Sequence, residues 1–292
     1  MQFPRIVSTG LILAVFALGG CQTTTLAKGK GELGCAKEDF VSQVSGGKEC
    51  LAISVIKPQH KSNGIMIVHV HGDISHGINA DWAFQKMVSA LSRNPKFEAA
   101  LKIGIVRPGG ALKSGLRSTG HDCRVYYRPS GRNVCHLEKN ADSIAAAISN
   151  LKKHYKPKKT IYVGYSGGGA LGGVILGKFN GNGIDTAFLT SGVYDFERWL
   201  VSSCQVRPEW GRESVSADSF ISGIPNDLKI YVVHGEKDCN IIPDIAASYS
   251  KKINKKGGDA ELVIVPGAGH SHPDIVNSEL FKVRMIKELS TL

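Results

Sequence analysis

The sequence predicts an α/β protein built on a doubly wound, mostly parallel sheet with helices on both faces. Short apolar runs of β type alternate with helical patterns from about residue 50 to residue 290, and strands that alternate with helices pair in parallel. Two stretches, 107–137 and 192–226, break this alternation, and each follows a predicted strand. We expect loop or cap insertions there, over the carboxyl edge of the sheet, where such folds place their ligand crevice.

Each element follows from its local pattern. Predicted strands are short apolar runs, of which GIMIVHVH is the strongest, and predicted helices repeat apolar residues at helical spacing, as do Trp82, Phe84, Met87 and Leu91. Strands are expected at 51–56, 64–71, 101–106, 160–164, 184–190, 228–234 and 261–265. Helices are expected at 79–92, 138–155, 167–178, about 242–254 and 274–290.

Residues 1–20 have the layout of a secretory signal. A short start with Arg5 precedes an apolar run at 11–18, which is too short for a bilayer span of about 20 residues. The following Leu18-Gly19-Gly20-Cys21 resembles the lipobox of bacterial lipoproteins. This resemblance implies lipidation of Cys21 and a periplasm-facing, membrane-anchored protein, with Gln22 favouring the outer membrane. The alternative is an ordinary signal peptide with an incidental cysteine.

Residues 21–34 are polar and contain glycine, so we expect a flexible tether before a domain at 35–292. An even number of cysteines follows Cys21, which in an exported chain predicts up to three disulfides. The sequence alone cannot choose their connectivity, although short separations favour Cys35 with Cys50 and Cys123 with Cys135.

The chain is basic, with a formal net charge of +11. Export argues against nucleic acid as the partner and favours anionic lipid or a cell-wall polymer. Three basic clusters lie on helix-to-strand connections, hence at the amino edge of the parallel strands: Arg93 with Lys96, residues 152–159 and residues 251–256. This face either lies against anionic lipid or consists of solvated helix ends that the helix dipole favours.

The pentapeptide Gly164-Tyr165-Ser166-Gly167-Gly168 has the form G-x-S-x-G and stands between an apolar strand and a helix of small residues. A serine on a sharp strand-to-helix turn needs small neighbours and projects its hydroxyl above the sheet edge. The helix start also presents unpaired N–H groups to developing negative charge. The alternative is a glycine-rich turn without chemistry.

A serine hydroxyl needs a base, and the base needs an orienting acid. Asp238 follows one predicted strand and His270 follows the next, so both return to the edge that carries Ser166. At this point the chain resembles the α/β-hydrolase superfamily over roughly residues 50–290, through G-x-S-x-G, HG-x-x-D followed by Pro243, and G-x-G-H. The resemblance implies Ser166 as nucleophile, Asp238 as acid and His270 as general base, without metal or organic cofactor.

Rivals exist for two of these roles. Asp195 follows the preceding strand, where some family members place the acid, and Glu236 is two residues before Asp238. His272 is the nearest rival to His270. The same topology places Cys239 beside the acid and Cys204 in an insertion, so a disulfide between them would brace the acid loop.

The segment Val70-His71-Gly72-Asp73 ends the strand that the resemblance assigns to the oxyanion loop. It implies donor N–H groups at Asp73 and Gly167. The carboxylate of Asp73 departs from the family pattern and would be unfavourable near an oxyanion unless it is turned away or paired.

The same segment contains His69, His71, Asp73 and His76, which resemble the zinc motif of metallo-β-lactamase-like hydrolases. The spacing to His76 departs from that motif, and the serine hypothesis explains more of the sequence.

We therefore expect a hydrolase of small or medium acyl esters. The alternatives are a peptidase of prolyl-oligopeptidase type and a non-catalytic binding lipoprotein. Tyr126, Tyr127 and Arg128 are candidate pocket residues, and an ordinary surface loop is the alternative.

Overall fold

The computed structural model describes residues 35–36, 38–59, 61–73, 80–120, 136–204 and 214–291. An eight-stranded sheet forms its centre, in the order β1-β2-β4-β3-β5-β6-β7-β8. The strands are β1 (Gln43–Gly46), β2 (Glu49–Ile56), β3 (Ile65–Val70), β4 (Leu101–Ile105), β5 (Lys159–Tyr165), β6 (Thr186–Thr190), β7 (Lys229–Gly235) and β8 (Asp259–Val265).

The six strands from β3 to β8 pair in parallel, and the β1–β2 hairpin adds to β4 in antiparallel sense. The helices are α1 (Asp81–Leu91), α2 (Pro95–Glu98), α3 (Glu138–Tyr155), α4 (Gly167–Lys178), α5 (Phe196–Ser202), α6 (Pro243–Lys255), α7 (His272–Asn277) and α8 (Glu279–Glu288). Short 3-10 turns occur at Asn180–Gly183 and Ala217–Gly223.

Both faces of the sheet are covered by helices because the central strands β3 to β7 are buried on both sides. Helices α3, α4 and α6 bury Ile148, Leu171 and Tyr249 on one face. Helices α1, α7 and α8 bury Phe84 and Phe281 on the other. Full burial of such side chains contributes about 1.5 to 3 kcal/mol each, and the covered faces are typical of parallel sheets.

The predicted fold class is confirmed, with every predicted strand present within a few residues of its expected bounds. The single helix expected at 274–290 is wrong, because the chain breaks at Ser278, whose hydroxyl oxygen accepts a hydrogen bond from the N–H of Phe281 and starts α8. Trp82 is more than one third exposed and does not join the buried stripe of α1.

The signal at 1–20, the tether at 21–34 and the lipidation site Cys21 lie outside the described residues. None of the helices in the described ranges combines the length and hydropathy that a membrane span requires.

Two buried histidines lie next to each other on one face of the sheet, close to the predicted site. His69 on β3 and His272 at the start of α7 stand with ring centroids 5.4 Å apart, and the ring of Tyr165 lies 4.4 Å from that of His272. Burial lowers the pKa of His69 well below its usual value and lowers the pKa of His272 to about 3. Both rings are therefore neutral in the folded protein near neutral pH.

This burial predicts acid sensitivity. Below about pH 6.5 the unfolded chain protonates His272 while the folded chain does not, so the free energy of unfolding falls as the pH drops from there toward about 3, by up to about 1.4 kcal/mol per pH unit for each such histidine. His272→Phe keeps an apolar ring but cannot titrate, so its free energy of unfolding should fall less steeply. Urea unfolding at several pH values between about 4.5 and 7.5 measures the slope. Equal slopes for the variant and the wild type would contradict the assignment.

Candidate active site

Ser166 occupies the turn between β5 and α4 with a φ of 51° and a ψ of −116°. Such a backbone conformation costs a non-glycine residue on the order of 1 to 3 kcal/mol and persists only when its surroundings enforce it. Here the N–H of Ser166 donates to the carbonyl oxygen of Thr190 at 2.8 Å. Gly168 must lack a side chain because a Cβ there would overlap the carbonyl oxygen of Val70. The turn is thus fixed by both neighbouring strands.

The structure brings together the three residues that the sequence proposed for catalysis. The Oγ of Ser166 lies 3.1 Å from Nε2 of His270, and Nδ1 of His270 lies 2.8 Å from Oδ2 of Asp238. Asp238 follows β7 and His270 follows β8, which pair in parallel, so both loops end at the edge that holds Ser166. This is the hydrogen-bonded order that activates a serine hydroxyl.

Asp238 is buried, and its carboxylate is fully occupied. Its Oδ1 accepts a hydrogen bond from the N–H of Ile241 at 2.9 Å, and its Oδ2 also lies 3.2 Å from Nε2 of His234. Burial by itself raises the pKa of Asp238, but hydrogen bonds from His234 and His270 outweigh it and hold the pKa below its usual value. The ionised carboxylate keeps the proton of His270 on Nδ1 and leaves Nε2 free to accept the serine proton.

Two supporting residues were not singled out from the sequence. His234 is fully buried, and its Nε2 donates to the carbonyl oxygen of Ile241 at 2.6 Å, which closes the loop around Asp238. The hydroxyl of Tyr165 donates to the carbonyl oxygen of His270 at 2.8 Å. The available signal was their position, since His234 begins the HG-x-x-D motif and Tyr165 precedes the nucleophile.

The predicted oxyanion loop approaches the nucleophile closely. A Cβ on Gly72 would lie only 2.9 Å from the Cβ of Ser166, so only glycine lets the loop pass here. Gly167 begins α4, and a first-turn N–H has no intrahelical partner. Hydrogen bonds among the described residues do not engage the backbone N–H of Asp73. The assignment of both N–H groups as oxyanion donors remains a prediction.

The carboxylate of Asp73 is paired, which is one of the two arrangements that the sequence argument allowed. Its Oδ1 lies 2.7 Å from Nη1 of Arg107 and 3.3 Å from Nε2 of His136. Burial raises the pKa of Asp73, but electrostatic interactions and hydrogen bonds with His136 and Arg107 overcome this and lower the pKa below its usual value.

Ser166, Asp238 and His270 fall within a recognisable sequence family. A sequence profile of the prolyl oligopeptidase family matches residues 136–287, just over half of the chain. The chain belongs to the prolyl oligopeptidase family. This membership, together with the fold, makes it a serine hydrolase of the α/β-hydrolase type. A comparison with curated proteins gives no match.

Solved structures share the fold of this prolyl oligopeptidase family member at low sequence identity. The esterase Est1E from Butyrivibrio proteoclasticus aligns with a TM-score of 0.58 and 16% identity over 85% of this chain and 98% of its own. The Pyrococcus furiosus esterase Pf2001 gives 0.60 and 15% over 85% and 90%. The acylaminoacyl peptidase of Pyrococcus horikoshii gives 0.60 and 14% over 85% of this chain but only 40% of that protein.

The rival acids and base of this family member lie in other environments. Asp195 is the N-cap of α5, where its Oδ1 accepts from the N–H of Arg198 at 3.0 Å. Glu236 accepts from the N–H of Gly267 at 2.8 Å. His272 is fully buried at the start of α7.

Hydrogen bonds to the backbone occupy one of the side chains proposed as zinc ligands. The N–H of Arg107 donates to Nε2 of His71, so the ring proton is on Nδ1, which donates to the carbonyl oxygen of Gly72 at 2.6 Å. Both ring nitrogens of His71 are therefore occupied. His76 lies outside the described residues.

Disulfides join Cys35 to Cys50 and Cys204 to Cys239. The second links the end of α5 to the residue after Asp238, and the indole N–H of Trp199 adds a hydrogen bond to the carbonyl oxygen of Asn240 at 2.7 Å. The 192–226 insertion is therefore tied to the loop that carries Asp238.

Some of the predicted residues lie outside the described part of the chain. These are the candidate pocket residues Tyr126, Tyr127 and Arg128 and the cysteines Cys123 and Cys135.

Removing the second disulfide should affect the site as well as stability. We expect Cys204→Ala with Cys239→Ala to lower the free energy of unfolding by about 2 to 4 kcal/mol and to lower kcat, because the loop that fixes Asp238 loses its brace. The matched control is Cys35→Ala with Cys50→Ala, which should lower stability but leave kcat near the wild-type value. Urea unfolding and ester hydrolysis measure the two effects, and an unchanged kcat in both double variants would contradict the bracing role.

Proposed function

We propose that the chain hydrolyses acyl esters through Ser166, His270 and Asp238. The observation that carries this proposal is the continuous hydrogen-bonded order from the Ser166 hydroxyl through His270 to a buried, ionised Asp238. General-base assistance of this kind is what converts a weakly nucleophilic hydroxyl into an attacking group.

The proposed reaction has two halves. The Oγ of Ser166 attacks the substrate carbonyl while Nε2 of His270 takes its proton, and the N–H groups of Gly167 and Asp73 stabilise the oxyanion. The tetrahedral intermediate collapses when the protonated His270 gives its proton to the leaving alkoxide, which leaves as the alcohol. Water then attacks the acyl-enzyme with His270 as base, which releases the acid and restores the Ser166 hydroxyl.

Two of the similar solved structures, which are esterases, support an esterase as the first candidate. The chain spans nearly all of Est1E and most of the esterase Pf2001, but only 40% of the acylaminoacyl peptidase. One solved structure of Est1E holds ferulic acid, so Est1E binds an aromatic carboxylic acid. The peptidase remains the second candidate because the family profile that matches here is that of prolyl oligopeptidases.

A fluorophosphonate probe tests the assignments directly, since it reacts with activated serines. We expect the wild type to be labelled, Ser166→Ala to be unlabelled, and His270→Ala and Asp238→Asn to be labelled about 10³-fold more slowly. Asp195→Asn is the matched control for the acid, because asparagine is an equally good N-cap, and it should retain wild-type labelling. Rapid labelling of Asp238→Asn together with slow labelling of Asp195→Asn would reverse the choice of acid. A folded wild type that is never labelled would favour the binding-module alternative.

Matched ester and anilide substrates with the same acyl group then separate esterase from peptidase. We expect kcat/KM for the p-nitrophenyl ester to exceed that for the p-nitroanilide by well over about 10³-fold, or a difference in barrier above about 4 kcal/mol. Comparable turnover of the anilide would place the peptidase first.

We further propose that the protein is exported and anchored through lipid on Cys21, with its basic amino edge near anionic lipid. The two disulfides support an oxidising compartment. Several lysines at this edge, including Lys57, Lys153 and Lys158, are exposed, and their side chains form no ion pair within the described part of the chain. A cavity of ≈370 Å³ also opens there, with Lys57 and Lys156 beside apolar Ile65 and Leu101.

Charge reversal at the two edges tests this orientation. We expect the soluble domain to bind vesicles of anionic phospholipid at low salt, and Lys57→Glu with Lys158→Glu to weaken binding at least about ten-fold, since each basic group near such a surface contributes about 1 kcal/mol. The matched control reverses two exposed lysines at the opposite edge, Lys48→Glu with Lys113→Glu, and should bind like the wild type. An equal loss of vesicle binding in both double variants would show that charge attracts the protein to the membrane without orienting it. A loss confined to the control variant would place the edge that carries Ser166 at the membrane.

A further inference from the structure

Three charged or titratable side chains meet beside the predicted oxyanion hole, outside the Ser166 relay. Asp73 belongs to the oxyanion loop after β3, Arg107 follows β4, and His136 precedes α3. Their Oδ1, Nη1 and Nε2 atoms lie 2.5 to 2.6 Å from the point where a Cβ on Gly167 would stand. The cluster is therefore in contact with the residue that begins α4.

A carboxylate at this place presents an electrostatic problem. The transition state develops negative charge on the substrate oxygen, and a second negative charge a few ångströms away opposes it strongly where water is excluded. The side chain of Asp73 is only 22% exposed, and that of Arg107 only 6%. The charge of Asp73 is thus screened by its partners more than by solvent.

Arg107 holds the oxyanion loop at two points. Its guanidinium bonds Asp73 at 2.7 Å, and its backbone N–H donates to Nε2 of His71 at 3.0 Å. Burial lowers the pKa of His71 to about 3, so its Nε2 remains an acceptor at neutral pH. Because β3 and β4 are paired in parallel up to Val70 and Ile105, both bonds connect adjacent strand ends.

His136 connects the same cluster to the insertion that contains α5. Its N–H donates to the Oγ of Ser214 at 3.3 Å, and its carbonyl oxygen accepts from the N–H of Val215 at 3.0 Å. The ring of Phe196 lies edge-on at 4.8 Å from its own ring. The cluster is fixed from both sides.

We propose that Arg107 is a positioning residue for the oxyanion hole: it neutralises Asp73 and fixes the 71–73 loop so that a carboxylate can stand beside a site that stabilises negative charge. This inference rests on the proposed hydrolase function. It assigns Arg107 no contact with the reacting atoms.

If Arg107 has this role, a substitution at Asp73 should restore part of the kcat that is lost when Arg107 is replaced. Arg107→Met leaves Asp73 charged and loosely held, so kcat should fall about 10²-fold, comparable to the loss of one oxyanion donor, with KM changed much less. Asp73→Asn keeps an Oδ1 acceptor for Arg107 and should remain within about ten-fold of wild type. The double variant Arg107→Met with Asp73→Asn removes the charge that Arg107 no longer neutralises and should recover at least about ten-fold of kcat relative to Arg107→Met alone.

The kinetic comparison uses a p-nitrophenyl ester, with thermal unfolding of each variant to confirm folding. Arg117→Met is the matched control, an arginine of the same insertion whose Nη2 bonds the carbonyl oxygen of Gly109, and it should leave kcat unchanged. If Arg107→Met does not fold, Arg107→Lys with and without Asp73→Asn replaces it, and the lysine variant should lose less activity because it keeps the positive charge.

Two results would overturn the inference: wild-type kcat in a folded Arg107→Met, or a double variant no better than Arg107→Met. A merely structural role for Arg107 predicts the second result, because neutralising Asp73 would not restore packing. Failure of the proposed function is distinguishable, since the wild type would then be inert to the fluorophosphonate probe whatever the state of Arg107.

Discussion

The backbone conformation at Ser166 is the constraint on which the site depends. A serine with φ of 51° between β5 and α4 is held there by a hydrogen bond to β6 and by contact of Gly168 with the end of β3. Both restraints require the parallel pairing of β5 with its two neighbours. The same pairing delivers the loops after β7 and β8 to one edge, so the hydrophobic core that orders the strands also determines the distances among Ser166, His270 and Asp238.

Helix α4 contains glycines that lower its helix propensity but allow the close packing that this constraint requires. Glycine in a helix interior is about 1 kcal/mol less favourable than alanine, yet Gly172, Gly173 and Gly177 stand in its interior. A Cβ at Gly172 would meet the ring of Tyr162, and one at Gly177 would overlap the backbone of Phe220. The small residues therefore let α4 approach both the sheet and the 3-10 turn at Ala217–Gly223, and close packing offsets the weaker helix propensity.

The sequence predicted those features that local patterns determine. Apolar runs predicted the strands, and the three motifs predicted which loops carry Ser166, Asp238 and His270, because a loop after a parallel strand has only one edge to occupy. Strand β1 was missed because four residues of alternating burial give too short a pattern. The partners of Asp73 could not be found, since Arg107 and His136 are 34 and 63 positions away in the chain and meet it only through the fold.

The carboxylates of Asp238 and Asp73 both keep a low pKa because they have partners, but the partners differ. Asp238 is buried and Asp73 is largely buried, and partners that overcome burial lower the pKa of each carboxyl. A buried charge without a partner would cost several kcal/mol. The partners of Asp238 include His270, which reaches Ser166, so its charge serves the base. The partners of Asp73, Arg107 and His136, belong instead to the 107–137 insertion, and His136 also contacts Ser214 of the 192–226 insertion. We therefore expect a change in either insertion to reach the 71–73 loop through this cluster, because the hydrogen bonds of Asp73, Arg107, His136 and Ser214 form one connected set.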